Sequence, residues 1–279
     1  MVARRLAHLG PRGTYTEAAA IAYDVDAELL PQPNVAAAVA AVEGGEADAA
    51  VCAIENSVEG GVTETLDQLV REDFDLSISG EVVLPIHHIL VGAAGVDLST
   101  AKVVYSHPQA LAQCRERLRE LVPNAAPVAA LSTAAAIEGA IAEPGSVAVG
   151  SELAAQLHDA TIYAQDIADA PGNETRFIVL AAEDHEPTGS DKTSIAFTTH
   201  HDRPGSLVDV LGQLSQRSLN MTRIESRPTR EQLGTYVFLI DFDGHRASSD
   251  VADALEAVAK STLLLRVLGS YPHSAEVDA

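Results

Sequence analysis

The order of its elements is what most constrains this chain. From Leu6 to Gly150, short β-like runs alternate with Ala-rich helical ones, the pattern of α/β layering around a largely parallel sheet. The spacing predicts strands at Arg5–Leu9, Ala47–Ile54, Ile78–Val91, Lys102–Tyr105 and Ser146–Val149. Helices are predicted at Thr16–Tyr23, Asn34–Glu43, Thr63–Arg71, Pro108–Leu121 and Thr133–Ala142, with Asn34 and Ser132 placed as caps. Pro85 interrupts Ile78–Val91, which therefore reads as two strand pieces or a crossing segment.

Behind a strand at Arg176–Ala182, the polar run Glu183–Lys192 reads as a linker. The remainder gives strand Thr193–Thr199, helix Gly205–Ser218, strands Met221–Ser226 and Thr235–Phe242, helix Ser249–Ser261 and strand Leu263–Tyr271. That order is βαββαβ, the ferredoxin-like arrangement. Two domains suit 279 residues better than one, and the tail Pro272–Ala279 is expected to be disordered.

The net charge of -22 argues against nucleic acid or an anionic membrane as a partner. Only three of the eighteen cations are lysines, Lys102, Lys192 and Lys260. Such a surface suits a high-salt cytoplasm, and also an ordinary acidic protein whose genome prefers Arg to Lys. Cys52 and Cys114 are the only cysteines, and no run resembles a secretion signal or a membrane span, so a cytoplasmic protein with free thiols is expected.

Four strand-to-helix or loop-to-strand junctions carry the polar residues that chemistry needs. Gly10-Pro11-Arg12-Gly13-Thr14-Tyr15-Thr16-Glu17 forms a turn whose free amides suit an anion, or a plain βα turn. Ile54-Glu55-Asn56-Ser57-Val58-Glu59-Gly60-Gly61 sets a carboxylate, an amide and a hydroxyl at the carboxyl end of an apolar strand, where open α/β sheets bind ligands. Helix capping by Asn56 or Ser57 is the alternative there. Ser106 opens the third junction, where Gln113 lies one turn beyond Gln109 on the same helix face. In the fourth, Asn173-Glu174-Thr175-Arg176-Phe177, successive strand side chains point oppositely, so either Thr175 faces a cleft and Arg176 braces it, or the chain is irregular.

The adjacent pairs His87-His88 and His200-His201 lack spaced partners, so no metal or cofactor is expected. In the C-terminal unit, Asp202-Arg203-Pro204-Gly205-Ser206-Leu207-Val208 and Glu225-Ser226-Arg227-Pro228 offer helix-entry amides and polar groups for a zwitterion, or structural turns.

Taken in order, GPRGTYTEAA (Gly10–Ala19), IENSVEGGV (Ile54–Val62), SHPQAL (Ser106–Leu111), STAAAI (Ser132–Ile137) and NETRF (Asn173–Phe177), followed by DRPGSLVDVL and ESRP, resemble the prephenate dehydratase family over nearly the whole chain. The resemblance implies a bilobal catalytic domain of type II periplasmic-binding-protein fold at residues 1–184. One lobe would span 1–76 plus 171–184 and the other 77–170, with an ACT regulatory domain at 192–272. It implies a lyase that converts prephenate to phenylpyruvate, with arogenate dehydration or a non-catalytic amino-acid sensor as alternatives. By the same resemblance, Thr175 is the donor to the leaving oxygen and Asn56, Ser57, Ser106 and Gln113 orient the substrate. Thr14, Thr133 and Arg176 would hold carboxylates, with Glu55 and Phe177 also lining the site, although a carboxylate beside a dianion is repulsive unless protonated or turned away. L-Phenylalanine would bind between paired ACT domains along Gly205, Ser206, Leu207, Val208, Glu225, Ser226, Arg227 and Pro228, acting on the cleft through the linker. A dimer through these domains, assembled into a tetramer, is implied. Two positions depart from the family pattern: Ser206 stands where Ala is usual, adding a hydroxyl to an apolar wall, and Ala53 stands where Pro is usual.

Overall fold

The computed structural model describes residues 3–199, 204–229 and 235–274. His200, His201, Asp202 and Arg203 therefore lie outside the described residues, as do the last five residues of the expected tail.

The first lobe contains β1 (Arg5–Leu9), α1 (Tyr15–Tyr23), β2 (Glu28–Gln32), α2 (Val35–Glu43), β3 (Ala49–Asn56), a two-residue β4 (Gly60–Gly61), α3 (Thr63–Leu69) and β5 (Ser77–Pro85). After Pro85 the chain crosses to the second lobe: β6 (Ile89–Gly92), β7 (Val103–Ser106), α4 (Pro108–Gln113), α5 (Arg115–Leu121), β8 (Ala126–Ala129), α6 (Thr133–Ala142), β9 (Ser146–Gly150), α7 (Glu152–Leu157) and β10 (Thr161–Ala164). It then returns to the first lobe as β11 (Glu174–Ala181). The proline-broken run Ile78–Val91 is thus two strands in different sheets.

The first sheet runs β2-β1-β3-β11-β5 and the second β10-β6-β9-β7-β8. Neither is wholly parallel: β1, β2 and β3 run together, but β11 opposes both β3 and β5, and β6 opposes β9 and β10. In each sheet a single strand of the five in the main order is reversed, β11 in the first and β6 in the second, so the largely parallel expectation holds for the other four. Asn34 and Ser132 accept from Ala37 N and Ala135 N, capping α2 and α6. The single helix expected over Pro108–Leu121 breaks at Cys114, where the Asp169 carboxylate accepts from Glu116 N and Arg117 N and starts a new helix.

The C-terminal unit follows as β12 (Asp191–Thr199), α8 (Ser206–Ser215), β13 (Met221–Pro228), β14 (Tyr236–Asp243), α9 (Ser249–Ser261) and β15 (Thr262–Pro272). Its antiparallel sheet is ordered β13-β14-β12-β15. Both helices pack on one face, over Phe197, Ile240 and Phe242. The other face joins the first lobe's core, where Ala196, Leu239, Leu268 and Tyr271 meet Ile78, Ile178 and Leu180. Gly269, at φ 148°, permits that contact, since a Cβ there would sit 2.2 Å from Ile78 O.

The tail expectation needs revision for its first residues. His273 N donates to Ser190 O and Ser274 N to Glu81 Oε1, while Val83 N donates to Ser274 Oγ. No helix among the described residues is long and apolar enough to cross a membrane.

Candidate active site

Strands β3 and β11 lie side by side with Asn56 opposite Thr175. Backbone amides fix the Asn56 side chain: Val58 N and Glu59 N both donate to its Oδ1 at 3.0 Å. Its Nδ2 must therefore face the other way, toward Thr175 Oγ1 at 2.9 Å and Asn173 Oδ1 at 2.7 Å. Thr175 accepts from Asn56, which leaves its own hydroxyl proton available to a ligand and makes it a better donor.

The polarity propagates. With Asn173 Oδ1 accepting from Asn56, Asn173 Nδ2 donates to Gln113 Oε1 at 3.0 Å. Gln113 Nε2 is buried with no hydrogen-bond partner among the described residues, and a buried amide donor without an acceptor costs about 1–3 kcal/mol. Gln113 Oε1 is also 2.9 Å from His88 Nε2, which must carry a proton to donate there. On the other side, His88 Nδ1 lies 3.1 Å from Tyr15 Oη, whose hydroxyl donates to His87 O at 2.7 Å. Burial pulls His88 below the usual histidine value, with His87 adding to the effect against the Gln113 hydrogen bond. Burial also pushes the Tyr15 phenol far up, so it stays protonated.

This chain of groups joins everything the two-lobed fold brings to its centre. Tyr15, Asn56 and Thr175 come from the first lobe, Gln113 from the second, and His88 and Asn173 from the two crossing segments. Tyr15, His88 and Asn173 escaped the sequence reading. Tyr15 and Asn173 sit inside motifs already singled out. The sequence pattern offers His88 only as half of a histidine pair, and its place just after Pro85, where the chain crosses, is the signal that points to it.

On the second lobe, Ser106 is fully buried and its Oγ donates to Val149 O at 2.8 Å, bracing the carboxyl ends of β7 and β9. Thr133 opens α6 beside them, also buried. Ser151 caps α7 and its Oγ also donates to Gly13 O of the first lobe at 2.8 Å, holding the lobes together. Gly13 has φ 83°, and a Cβ there would lie 2.8 Å from Ala154 Cβ, so the approach of the lobes depends on glycine. Thr14 caps α1, its hydroxyl donating to Leu9 O and accepting from Glu17 N, so only backbone there remains for a carboxylate. Ser57 is exposed, accepting from Glu174 N and donating to Gly172 O. The first turns of α1, α6 and α7 thus converge from both lobes, each presenting amides that have no partner within their helix.

Three expected site residues are placed elsewhere. Arg176 points to the opposite face of β11 from Thr175, as strand alternation demands. There it donates to Glu81 and Asp241 at 2.6 Å each and to Tyr271 Oη at 2.8 Å, bridging the catalytic unit to the C-terminal sheet. Glu55, beside Asn56, likewise turns away, lying 3.4 Å from Arg223 Nε and 3.7 Å from Arg176 Nη1. That removes the repulsion its position in the motif raised. Phe177 is 1% exposed and packs among Leu6, Ala19 and Val82 in the first lobe's core.

In the C-terminal unit, Gly205 begins α8 at φ 93°, with Ser206 and Leu207 half-buried and Val208 exposed. Glu225 lies against Gly61, and Arg227 donates to Asp67 of α3 at 2.6 Å, while Ser226 and Pro228 are exposed. Contact between the units is therefore direct as well as through residues 183–192. Lys192 itself is buried on Glu81, and Arg266 donates to the Arg71 and Glu72 carbonyls.

Comparison with known proteins places these features. The prephenate dehydratase family model matches residues 6–185 and the ACT domain model residues 193–260. The prephenate dehydratase of Amycolatopsis methanolica is 38% identical over 279 residues, covering 99% of this chain and 90% of that protein. Prephenate dehydratase from Arthrobacter aurescens, solved in complex with L-Phe, superposes with a TM-score of 0.89 at 42% identity, covering 99% and 92% of the two chains. A solved protein described as a quorum-quenching acylase superposes at 0.86 with 32% identity, covering 98% and 99%.

Proposed function

Since the chain belongs to the prephenate dehydratase family and is a lyase that carries an ACT domain, we propose that it converts prephenate to phenylpyruvate, carbon dioxide and water on the route to L-phenylalanine, under feedback from that amino acid. The observation that carries the reading is the fixed polarity of Asn56, which leaves the Thr175 proton directed to a ligand.

In the reaction the ring carboxylate leaves as carbon dioxide, its bonding electron pair aromatises the ring, and the ring hydroxyl departs as hydroxide that takes up a proton. A threonine hydroxyl is too weak an acid to supply that proton alone. Thr175 instead donates a hydrogen bond to the departing oxygen as charge builds on it, with Asn56 holding it in place. Gln113 Nε2 binds a substrate oxygen, and the amides opening α1, α6 and α7 receive the carboxylates. Ser106 and Thr133 keep those helix starts in position, and Ser57 orders the Glu174 end of β11.

An acylase, as one structural relative is described, would need a nucleophile beside a base. Here Thr175 meets an amide, and Ser106 and Ser57 both donate to backbone carbonyls, which favours dehydration. For the regulatory half, the edge strands β13 and β15 expose Met221, Ile224, Leu263 and Leu264, apolar surface suited to pairing two ACT domains around phenylalanine, and from there to a tetramer.

The test is phenylpyruvate formation from prephenate, with arogenate as the competing substrate. Thr175→Ala should lower kcat on the order of 10²–10³-fold with KM little changed. A wild-type protein that forms no phenylpyruvate from prephenate would refute the assignment.

A further inference from the structure

A dianion must find positive charge somewhere in this cleft, and the expected guanidinium is not there. Arg176 is engaged on the far face of β11, and Arg12, 70% exposed at the rim, has its Nε 3.3 Å from Glu17. The floor consists of Thr175, Asn56, Asn173, Gln113, Tyr15 and His88, and of these only the imidazole can become a cation near neutral pH.

The hydrogen bonds around His88 define what it is built to hold. The amide chain obliges Nε2 to donate to Gln113. If the ring is neutral, Nδ1 then carries a lone pair and competes with His87 O for the single proton of Tyr15, so one acceptor goes short. If the ring is protonated, Nδ1–H donates to Tyr15 Oη and Tyr15 donates to His87 O, so both ring nitrogens, the phenol and the carbonyl are satisfied. The surroundings are a complete shell for an imidazolium and an incomplete one for an imidazole.

We propose that His88 is a positioning residue that takes up a proton when the dianionic substrate binds, supplying through Gln113 a positive charge that the other described side chains of the cleft floor do not carry. The inference rests on prephenate as the substrate. The proton comes from solvent onto Nδ1, and no substrate bond changes in that step. In the empty protein, burial favours the neutral ring; two substrate carboxylates shift the balance toward the cation.

The other groups facing this site do not supply the charge. Tyr15 on α1 is held protonated, and Cys114, next to Gln113, is a buried thiol pushed up to about 12. Asp169 accepts from the first amides of α5. His87 points outward, 58% exposed, with Nδ1 2.7 Å from Asp166. His107 accepts from Gln109 N at the start of α4, so its lone pair there is already engaged.

The experiment is the pH profile of kcat/KM for prephenate from pH 6 to 9 in wild type, His88→Gln and His87→Gln. Wild type should lose kcat/KM by about tenfold per pH unit above the free-enzyme pKa of His88, as a single required proton dictates. His88→Gln keeps a donor toward Gln113 but cannot charge, so its profile should be flat and its value at pH 6 lower by roughly tenfold or more, the worth of one unit of differential pKa. His87→Gln should keep the wild-type slope. A purely structural role for His88 would lower activity yet leave the slope in place. Turnover with a flat wild-type profile, or a slope that survives in His88→Gln, overturns the proposal; absence of phenylpyruvate in wild type overturns the functional reading and this inference with it.

Discussion

Replacing Arg176 with Met separates a structural arginine from a substrate-binding one. Its guanidinium, with a side chain only 10% exposed, holds two carboxylates that are themselves 2% and 3% exposed, Glu81 and Asp241. Burial alone would raise both carboxyls. Only the partners together outweigh it, Arg176 with Lys192 at Glu81 and Arg176 with Arg223 and Ser194 at Asp241, and both carboxyls are held below the usual range. In Arg176→Met, Glu81 keeps Lys192 and Asp241 keeps Ser194 Oγ, but both lose their 2.6 Å partner. Removing one member of a buried pair costs about 3–5 kcal/mol, or roughly 6–20 °C in Tm at 2–4 °C per kcal/mol for a chain of this size.

The pH dependence follows with a definite sign. Depressed carboxyls stabilise wild type above their unfolded pKa of about 4, and that stability is lost as pH falls through the folded values. In the variant the same groups are buried with weaker pairing, so the difference from wild type should be largest near neutral pH and shrink below about pH 4. Urea unfolding followed by circular dichroism measures this, with prephenate KM taken in parallel. A stability loss below about 1 kcal/mol at neutral pH, or a KM raised a hundredfold in a fully folded variant, would refute the assignment of Arg176 to the inter-unit contact.

Gly13→Ala should fold yet lose on the order of 10² in kcat/KM, because its Cβ would strike Ala154 and the lobes could not approach; activity within twofold of wild type would exclude the dependence. Millimolar L-phenylalanine should change prephenate kinetics, and prephenate should change phenylalanine affinity by the same factor; unaltered kinetics would remove the feedback reading. Size exclusion with light scattering should show twice 29.2 kDa or more, and a monomer would contradict pairing of ACT domains. With a net charge of -22, the Tm should rise as KCl is raised to about 2 M, and a protein no more stable there than at low salt is not halophilic.

The alternation of elements made the α/β layering and the ferredoxin-like order of the C-terminal unit readable, because hydrophobic period and capping residues are local, whereas the division into two lobes came only with the family resemblance. Strand direction was not, since whether β11 runs with or against β3 depends on where the chain has been between them. Thr175, Asn56 and Gln113 could be nominated from their motifs, and Asn56 and Thr175 do face one another. Their orientation was invisible, because it is set by Val58 N and Glu59 N closing on Asn56 Oδ1, a turn geometry with no one-residue signature. His88 was missed because its meaning comes from partners at Tyr15 and Gln113, 73 and 25 residues away.

Arg176 and Glu55, which the family resemblance puts at the substrate, turn away from it as strand alternation allows, and this bears on control. In two paired strands, Asn56 and Thr175 point to the cleft while their neighbours Glu55 and Arg176 point to the C-terminal sheet, where both approach Arg223 or Asp241. A shift of β13 or β14 that moved those partners would therefore act on residues one peptide unit from the Asn56–Thr175 hydrogen bond. Such a route needs no motion of residues 183–192. It also places the cost of rearrangement in buried ion pairs, which have discrete alternative arrangements and can bias a two-state cleft in a way that a slack linker cannot. Charge neutralisation at Asp241 should then alter the phenylalanine response more than any substitution in the exposed stretch Glu186–Ser190, and the reverse order would show that the signal travels through the linker after all.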